Sequence, residues 1–238
     1  FYTVRGEGAP LILLHGNTAS SRMFNGLSKA YIDHFQVIAL DYPGHGKSER
    51  LTSFPTDFWY ENAEVVVVLA NHLGIEHVNL LGTSGGALVA LNVALEHPEI
   101  VDKIIADSFE GEQLQESDIA HLKEQRQVAP FAAKLYWWMM HGWDWRKVVD
   151  ADTQMIINFS QDYRKFFHKD LRLIQSPVLM TCSEKDDLIT HVVPKMQAVA
   201  EKIKAGKLVT FSTGGHPAML SNRQQFIELT LAFLRNPS

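Results

Sequence analysis

The sequence predicts an α/β fold: a mostly parallel sheet with helices on both faces, interrupted once by a helical insertion. Three observations predict it. Short apolar runs at residues 10–14, 35–40, 78–81, 101–106 and 177–182 lack an in/out alternation, the pattern of strands buried on both faces. Helix-patterned stretches separate these runs through short connections, the signature of βαβ units. Finally, the alternation stops over residues 109–173 and then resumes. Helical patterns replace strands there, with an aromatic cluster, Tyr136-Trp137-Trp138-Met139-Met140, then Trp143 and Trp145. The expected organisation is a core formed by 1–108 and 174–238, carrying a helical cap over 109–173. A division into two domains near Phe109 would leave the last strands without a sheet.

The elements follow in order. Residues 1–4 read as the remnant of a strand, and Gly6-Glu7-Gly8 as a turn. The strand at 10–14 ends in His15-Gly16-Asn17-Thr18, and a helix-like stretch through Met23, Leu27 and Tyr31 leads to the strand at 35–40. That strand ends in Asp41-Tyr42-Pro43-Gly44-His45-Gly46-Lys47-Ser48. A helix is expected over 57–73, closed by Gly74. After the strand at 78–81 a sharp turn enters a helix that ends near Pro98. The strand at 101–106 ends at Asp107-Ser108. After the insertion come the strand at 177–182, a helix near 192–203, a last strand at 207–211, Gly214-Gly215-His216-Pro217, and a closing helix through 226–234.

Composition narrows the function classes. With 238 residues, 46% hydrophobic and 21% charged, the chain reads as a globular protein able to bury a sizeable core. A net charge of −5 without a basic run argues against nucleic acid as partner. No apolar run has the length of a membrane span. The single cysteine, Cys182, cannot form an internal disulfide, so the expected compartment is the cytoplasm. His121, His141, His168 and His191 lack the spacing of a metal site, and no cofactor is expected.

The strand ends carry the residue types that acyl transfer needs. Gly82, Ser84 and Gly86 fit G-x-S-x-G, a serine on a strained turn between strand and helix. The following helix aims its positive end at that turn. A serine hydroxyl is a weak nucleophile until a base takes its proton. His216, just after the last strand, has the right acidity for that base. The loop Ser183-Glu184-Lys185-Asp186-Asp187 offers a carboxylate to orient the imidazole. Backbone N–H groups of Asn17 and Gly85 can hold an oxyanion.

These motifs, in this order, resemble the α/β-hydrolase fold superfamily, in its serine-esterase type with a helical cap. The matches are His15-Gly16, Asp41-x-Pro43-Gly44-x-Gly46-x-Ser48, the Gly82–Gly86 turn, Ser183-Glu184-Lys185-Asp186 and Gly215-His216, and they span nearly the whole chain. The resemblance implies Asp186 as the acid, with Asp187 second and Asp107 third, and implies that His15 and His45 brace the oxyanion loop. Phe54-Pro55-Thr56-Asp57-Phe58 is similar to the valacyclovir-hydrolase-like esterases. Those carry an acidic residue directly after the nucleophile, where this chain has Gly85, so their preference for amino-acid esters does not carry over. A serine nucleophile also separates the chain from the haloalkane-dehalogenase branch, which uses aspartate.

The expected function is a carboxylesterase acting on small, moderately apolar esters. The rivals are a small-molecule receptor on the same fold, and a non-hydrolytic enzyme such as a cofactor-free oxygenase, lyase or perhydrolase. Trp137, Trp138, Met139 and Trp143 have two readings. They either pack the cap's own core or line an apolar pocket above Ser84.

Overall fold

The computed structural model describes residues 1–236. Along the chain run β1 (Tyr2–Arg5), β2 (Ala9–Leu14), β3 (Phe35–Leu40), α1 (Phe58–His72), β4 (Val78–Thr83), α2 (Gly85–Glu96) and β5 (Val101–Asp107). Three helices follow, α3 (Glu116–Gln127), α4 (Phe131–His141) and α5 (Trp145–Asp162). The chain ends with β6 (Val178–Ser183), α6 (Val192–Ala200), β7 (Gly206–Phe211), α7 (Ala218–Ser221) and α8 (Arg223–Arg235). The seven strands form one sheet in the order β1-β3-β2-β4-β5-β6-β7. Only β1 runs antiparallel to its neighbour.

The continuous apolar strands are read by both faces of the sheet. Ile12, Leu14, Ile38, Leu80 and Ile104 point into one cluster, packed under α1, α2 and α6. Their neighbours Leu11, Leu13, Val37, Leu81 and Ile105 point into the other, with Phe226 and Leu234 of α8. A strand with solvent on one face could not bury consecutive aliphatics. Each such side chain contributes about 1.5–3 kcal/mol of burial.

One expectation changes here. The stretch through Met23, Leu27 and Tyr31 is two short 3₁₀ turns, Ser21–Phe24 and Ser28–Ala30, instead of a helix. Asn25-Gly26 breaks it, and the Gly26 carbonyl is taken by Arg223 Nη2 at 2.5 Å. The apolar spacing still reported burial, because Phe24, Leu27 and Tyr31 are all inside. The helix after β6 also stops at Ala200, three residues before the expected end.

Topology positions the site. From β2 the chain crosses to β3 on one side, and from β4 it crosses to β5 on the other. The loops after β2 and β4 therefore diverge although the strands are neighbours, which opens a crevice at their carboxyl ends. The helices α3 to α5 lie between β5 and β6. Their stems meet at a bridge between Gln113 and Lys165. α3 buries none of its residues, whereas α5 buries Val148, Val149, Asp152, Met155, Ile156 and Phe159. Among the described residues no helix is long and apolar enough to cross a membrane.

Candidate active site

The turn between β4 and α2 is sterically crowded. A Cβ on Gly82 would collide with the Gly86 carbonyl, and one on Gly86 with the Leu14 carbonyl. Ser84 sits between them at φ 53° and ψ −127°. A non-glycine residue there costs about 1–3 kcal/mol. Its own N–H donates to the Asp107 carbonyl at 2.7 Å, tying the turn to β5. The hydroxyl has no hydrogen bond among the described residues, so the structure does not join Ser84 Oγ to His216.

His216 lies on the loop after β7. Its Nδ1 is 2.9 Å from Asp186 Oδ2, with the carboxylate fully buried and the imidazole 10% exposed. A carboxylate only accepts, so Nδ1 carries the proton and Nε2 is left as the basic nitrogen. The other Asp186 oxygen accepts from the N–H groups of Leu188 and Ile189, at 2.9 and 2.8 Å. Burial pushes the Asp186 carboxyl up, but these donors and the His216 charge outweigh it and hold it below its ordinary range. Burial pulls the His216 imidazole down. The bond to Asp186 and the charges of Asp186, Glu110 and Asp107 overcome that and raise it.

The three candidate carboxylates take different partners. Asp187 Oδ1 accepts the His216 backbone N–H at 2.8 Å, which braces the loop and leaves the ring alone. Asp107 is fully buried at the end of β5. It accepts from Thr83 Oγ1 (2.9 Å), Thr181 Oγ1 (2.8 Å) and the Met219 N–H (3.2 Å). Burial raises its carboxyl to about 6. It clips three strands and the histidine loop together, and only Asp186 reaches the ring.

On the other side of Ser84 lies the loop after β2. The backbone N–H groups of Asn17 and Gly85 have no acceptor among the described residues. N–H groups free in this way can receive an acceptor from outside the chain. His15 Nδ1 donates to the Gly16 carbonyl at 2.9 Å and Nε2 accepts from Tyr42 N–H at 3.2 Å. Burial lowers both His15 and His45 to about 3, so neither carries charge at neutral pH.

The aromatic cluster divides between the two faces of α4. Trp137 does approach the loop after β2, donating from Nε1 to Thr18 Oγ1 at 3.1 Å. Its i+1 and i+2 neighbours, Trp138 and Met139, turn outward, 42% and 43% exposed. Trp143, just past the helix end at Gly142, is 90% exposed and stacks edge-on against Trp138. For Trp138 and Met139 helical geometry is the reason: consecutive residues point about 100° apart and cannot share one face. The buried member of the run is Met140, which packs on Ser20.

Sequence reasoning missed Trp59, Arg126, His141 and Asp152. Trp59 Nε1 donates to Asn17 Oδ1 at 3.2 Å, and Asn17 Nδ2 donates to Asp152 Oδ1 at 2.6 Å. Arg126 Nη2 holds the other Asp152 oxygen at 2.5 Å. His141 Nε2 donates to the Thr18 carbonyl at 2.9 Å while its Nδ1 accepts from Gly46 N–H at 3.1 Å. One signal was available. Asp152 sits within the apolar stripe of α5, between Val148 and Met155, where an unpaired charge would be costly.

With this geometry in view, the comparisons with known proteins are informative. The model of the "alpha/beta hydrolase fold" family matches residues 9–151. The "Putative carbamate hydrolase RutD" of Yersinia enterocolitica is 25% identical over 98% of this chain and 91% of its own length. Haloalkane dehalogenase 2 of Mycobacterium tuberculosis is 33% identical, over 44% of this chain and 36% of that protein. A thermophilic esterase from Thermogutta terrifontis superposes with a TM-score of 0.78 at 19% identity, covering 99% of this chain and 92% of that one. The carboxylesterase CesB of Bacillus subtilis gives 0.73 at 23% identity, with 100% and 88% covered. At such identities these structures speak for the fold. The family match covers more than half of the chain, and the chain belongs to the alpha/beta hydrolase fold family.

Proposed function

We propose that this protein is a serine hydrolase, a carboxylesterase that cleaves small, moderately apolar esters through an acyl-enzyme. The observation that carries the reading is the buried Asp186–His216 pair at 2.9 Å, on a loop docked to the strand end that also anchors Ser84. Ser84 Oγ attacks the carbonyl carbon as His216 Nε2 takes its proton. Asp186 holds the tautomer and stabilises the imidazolium. The N–H groups of Asn17 and Gly85 stabilise the oxyanion, a contribution on the order of 3 kcal/mol per donor. His216 then protonates the departing alcohol, and a water activated by the same base releases the acid.

Names of relatives support the chemistry. The esterase, the carboxylesterase and the carbamate hydrolase all carry acyl-type hydrolysis in their names. The full-length similarity to the last favours a second reading, in which the cleaved carbonyl belongs to a carbamate; the same groups would act in the same order. The experiment is hydrolysis of p-nitrophenyl esters across acyl lengths by the parent and Ser84→Ala, with ammonia release from carbamate run alongside. Steady ester turnover that falls by about a thousandfold or more in the variant supports the esterase. Negligible parent turnover, or equal rates in both proteins, overturns it. Ser84-dependent ammonia release with poor ester turnover selects the carbamate reading.

A further inference from the structure

The Asn17 side chain and α5 meet where the mechanism requires only a backbone N–H. A Cβ on Gly85 would overlap Asn17 Oδ1, so the carboxamide fills the space above the residue that follows the nucleophile. Its orientation is determined by its partners. The Trp59 indole N–H can only donate and the Asp152 carboxylate can only accept, so Oδ1 faces α1 and Nδ2 faces α5. Asp152 is fully buried, and Arg126 from α3 neutralises it at 2.5 Å. Arg126 itself is held by Thr153 Oγ1 at 2.6 Å. A buried ion pair of this kind is weak evidence for added stability, since desolvation cancels much of the attraction. It does impose one geometry on what it touches.

We infer that Asp152 is a positioning residue: through the Asn17 side chain it latches the helical insertion onto the oxyanion loop and aims the Asn17 N–H. The inference rests on the serine-hydrolase reading of the site. Asp152 donates nothing to substrate and acts through Asn17. Chain order explains why the latch is long-range, because Asn17 and Asp152 are 135 residues apart. Thr18, next in the loop, is held the same way by Trp137 and His141 of α4. The insertion is thereby part of the oxyanion site's scaffold and more than a cover.

The test uses p-nitrophenyl acetate turnover, inhibition by an aryl trifluoromethyl ketone, and hydrogen exchange. The ketone forms a hemiketal on Ser84 whose oxyanion needs the same donors as the transition state. Asp152→Ala is expected to lower kcat about 10–100-fold with KM changed less than about threefold, and to weaken ketone binding in parallel. Asp152→Asn retains an oxygen acceptor for Asn17 Nδ2 and is expected to recover most of that loss. Amide exchange in peptides covering residues 15–20 should rise in Asp152→Ala, with the strands unchanged. Should Asp152→Ala fail to fold, Arg126→Met on the otherwise unburied α3 gives the same readouts with smaller changes. Parent-like kcat, ketone affinity and loop exchange in these variants would overturn the latch, even if melting temperature falls. A parent without Ser84-dependent turnover would overturn the esterase reading instead. Loop exchange then still decides the latch, faster exchange supporting it and unchanged exchange refuting it.

Discussion

The two sides of Ser84 are built differently. On the proposed acid–base side, Asp186, Asp187 and His216 belong to the loops after β6 and β7 and bond to one another and to the Leu188 and Ile189 N–H groups of the same loop, with α3 reaching only the Asp187 carbonyl through Gln125. On the side of the proposed oxyanion donors, the loop 15–18 is held by side chains from α1, α4 and α5, and of these Trp59 belongs to the sheet's own helical layer. The first side needs the local geometry of two loops that follow adjacent strands. The second needs the inserted helices to be docked. A base must hold a proton position to within a hydrogen bond, and on a loop that precision comes from supporting hydrogen bonds such as those of Asp186 and Asp187. Donors for an oxyanion need only a preorganised backbone, which a distant clamp can supply.

Substitutions can break this comparison, and the acid–base side should suffer most. His216→Ala is expected to lower kcat by about 10⁴–10⁶ in ester turnover, since serine then has no base. Asp186→Asn should cost about 10⁴ through the wrong tautomer. Asp187→Asn removes the charge but keeps an oxygen that accepts the His216 backbone N–H and should cost no more than about tenfold, so the ratio of these two variants measures how well the carboxylates are sorted. If Asp187→Asn is the worse, the assignment of the acid is wrong.

The oxyanion side should respond less. Gly85→Ala drives a methyl into Asn17 Oδ1 and is expected to lower kcat/KM about 10–100-fold, with binding of a ground-state ester analogue nearly unchanged. An equal loss in that binding would mean that the Asn17 carboxamide instead contacts substrate.

The pH profile sharpens the difference. In the proposed mechanism His216 must be neutral to act, and Asp186 raises its pKa. Thus kcat/KM should climb as pH rises through a value above the ordinary imidazole pKa of about 6.5. In Asp186→Asn that limb should move to lower pH. Gly85→Ala should leave it in place, as the methyl does not touch the histidine.

Asp107 gives the smallest effect on rate and the largest on folding. Asp107→Ala leaves two buried threonine hydroxyls and the Met219 N–H without their acceptor. That should cost about 3 kcal/mol, or about 6–12 °C in melting temperature. The sign of its pH dependence follows from a folded value raised to about 6. The folded chain keeps this proton where the unfolded chain loses it. The group's contribution is therefore greatest below the ordinary Asp range of about 4 and declines as pH rises toward 6. In Asp107→Asn that slope should vanish from calorimetric melts between these pH values.

Much of this was legible in the sequence alone, for physical reasons. Strands buried on both faces must be continuously apolar, so β2, β3, β5 and β6 announce themselves. The turn at Gly82–Gly86 must be made of small residues because backbones cross there, and that requirement fits within five positions. The family's fold, the order of the strands' motifs and the residues at their ends follow from such short-range rules. What the sequence could not say is which groups meet across long separations. The choice of Asp186 over Asp187 depends on how one loop curls. The outward turn of Trp138 depends on which face of α4 docks. The reach of Asp152 to Asn17 depends on where an inserted helix lands. Hydrophobic periodicity specifies that a face is buried, not what it is buried against, and only the tertiary structure makes that pairing.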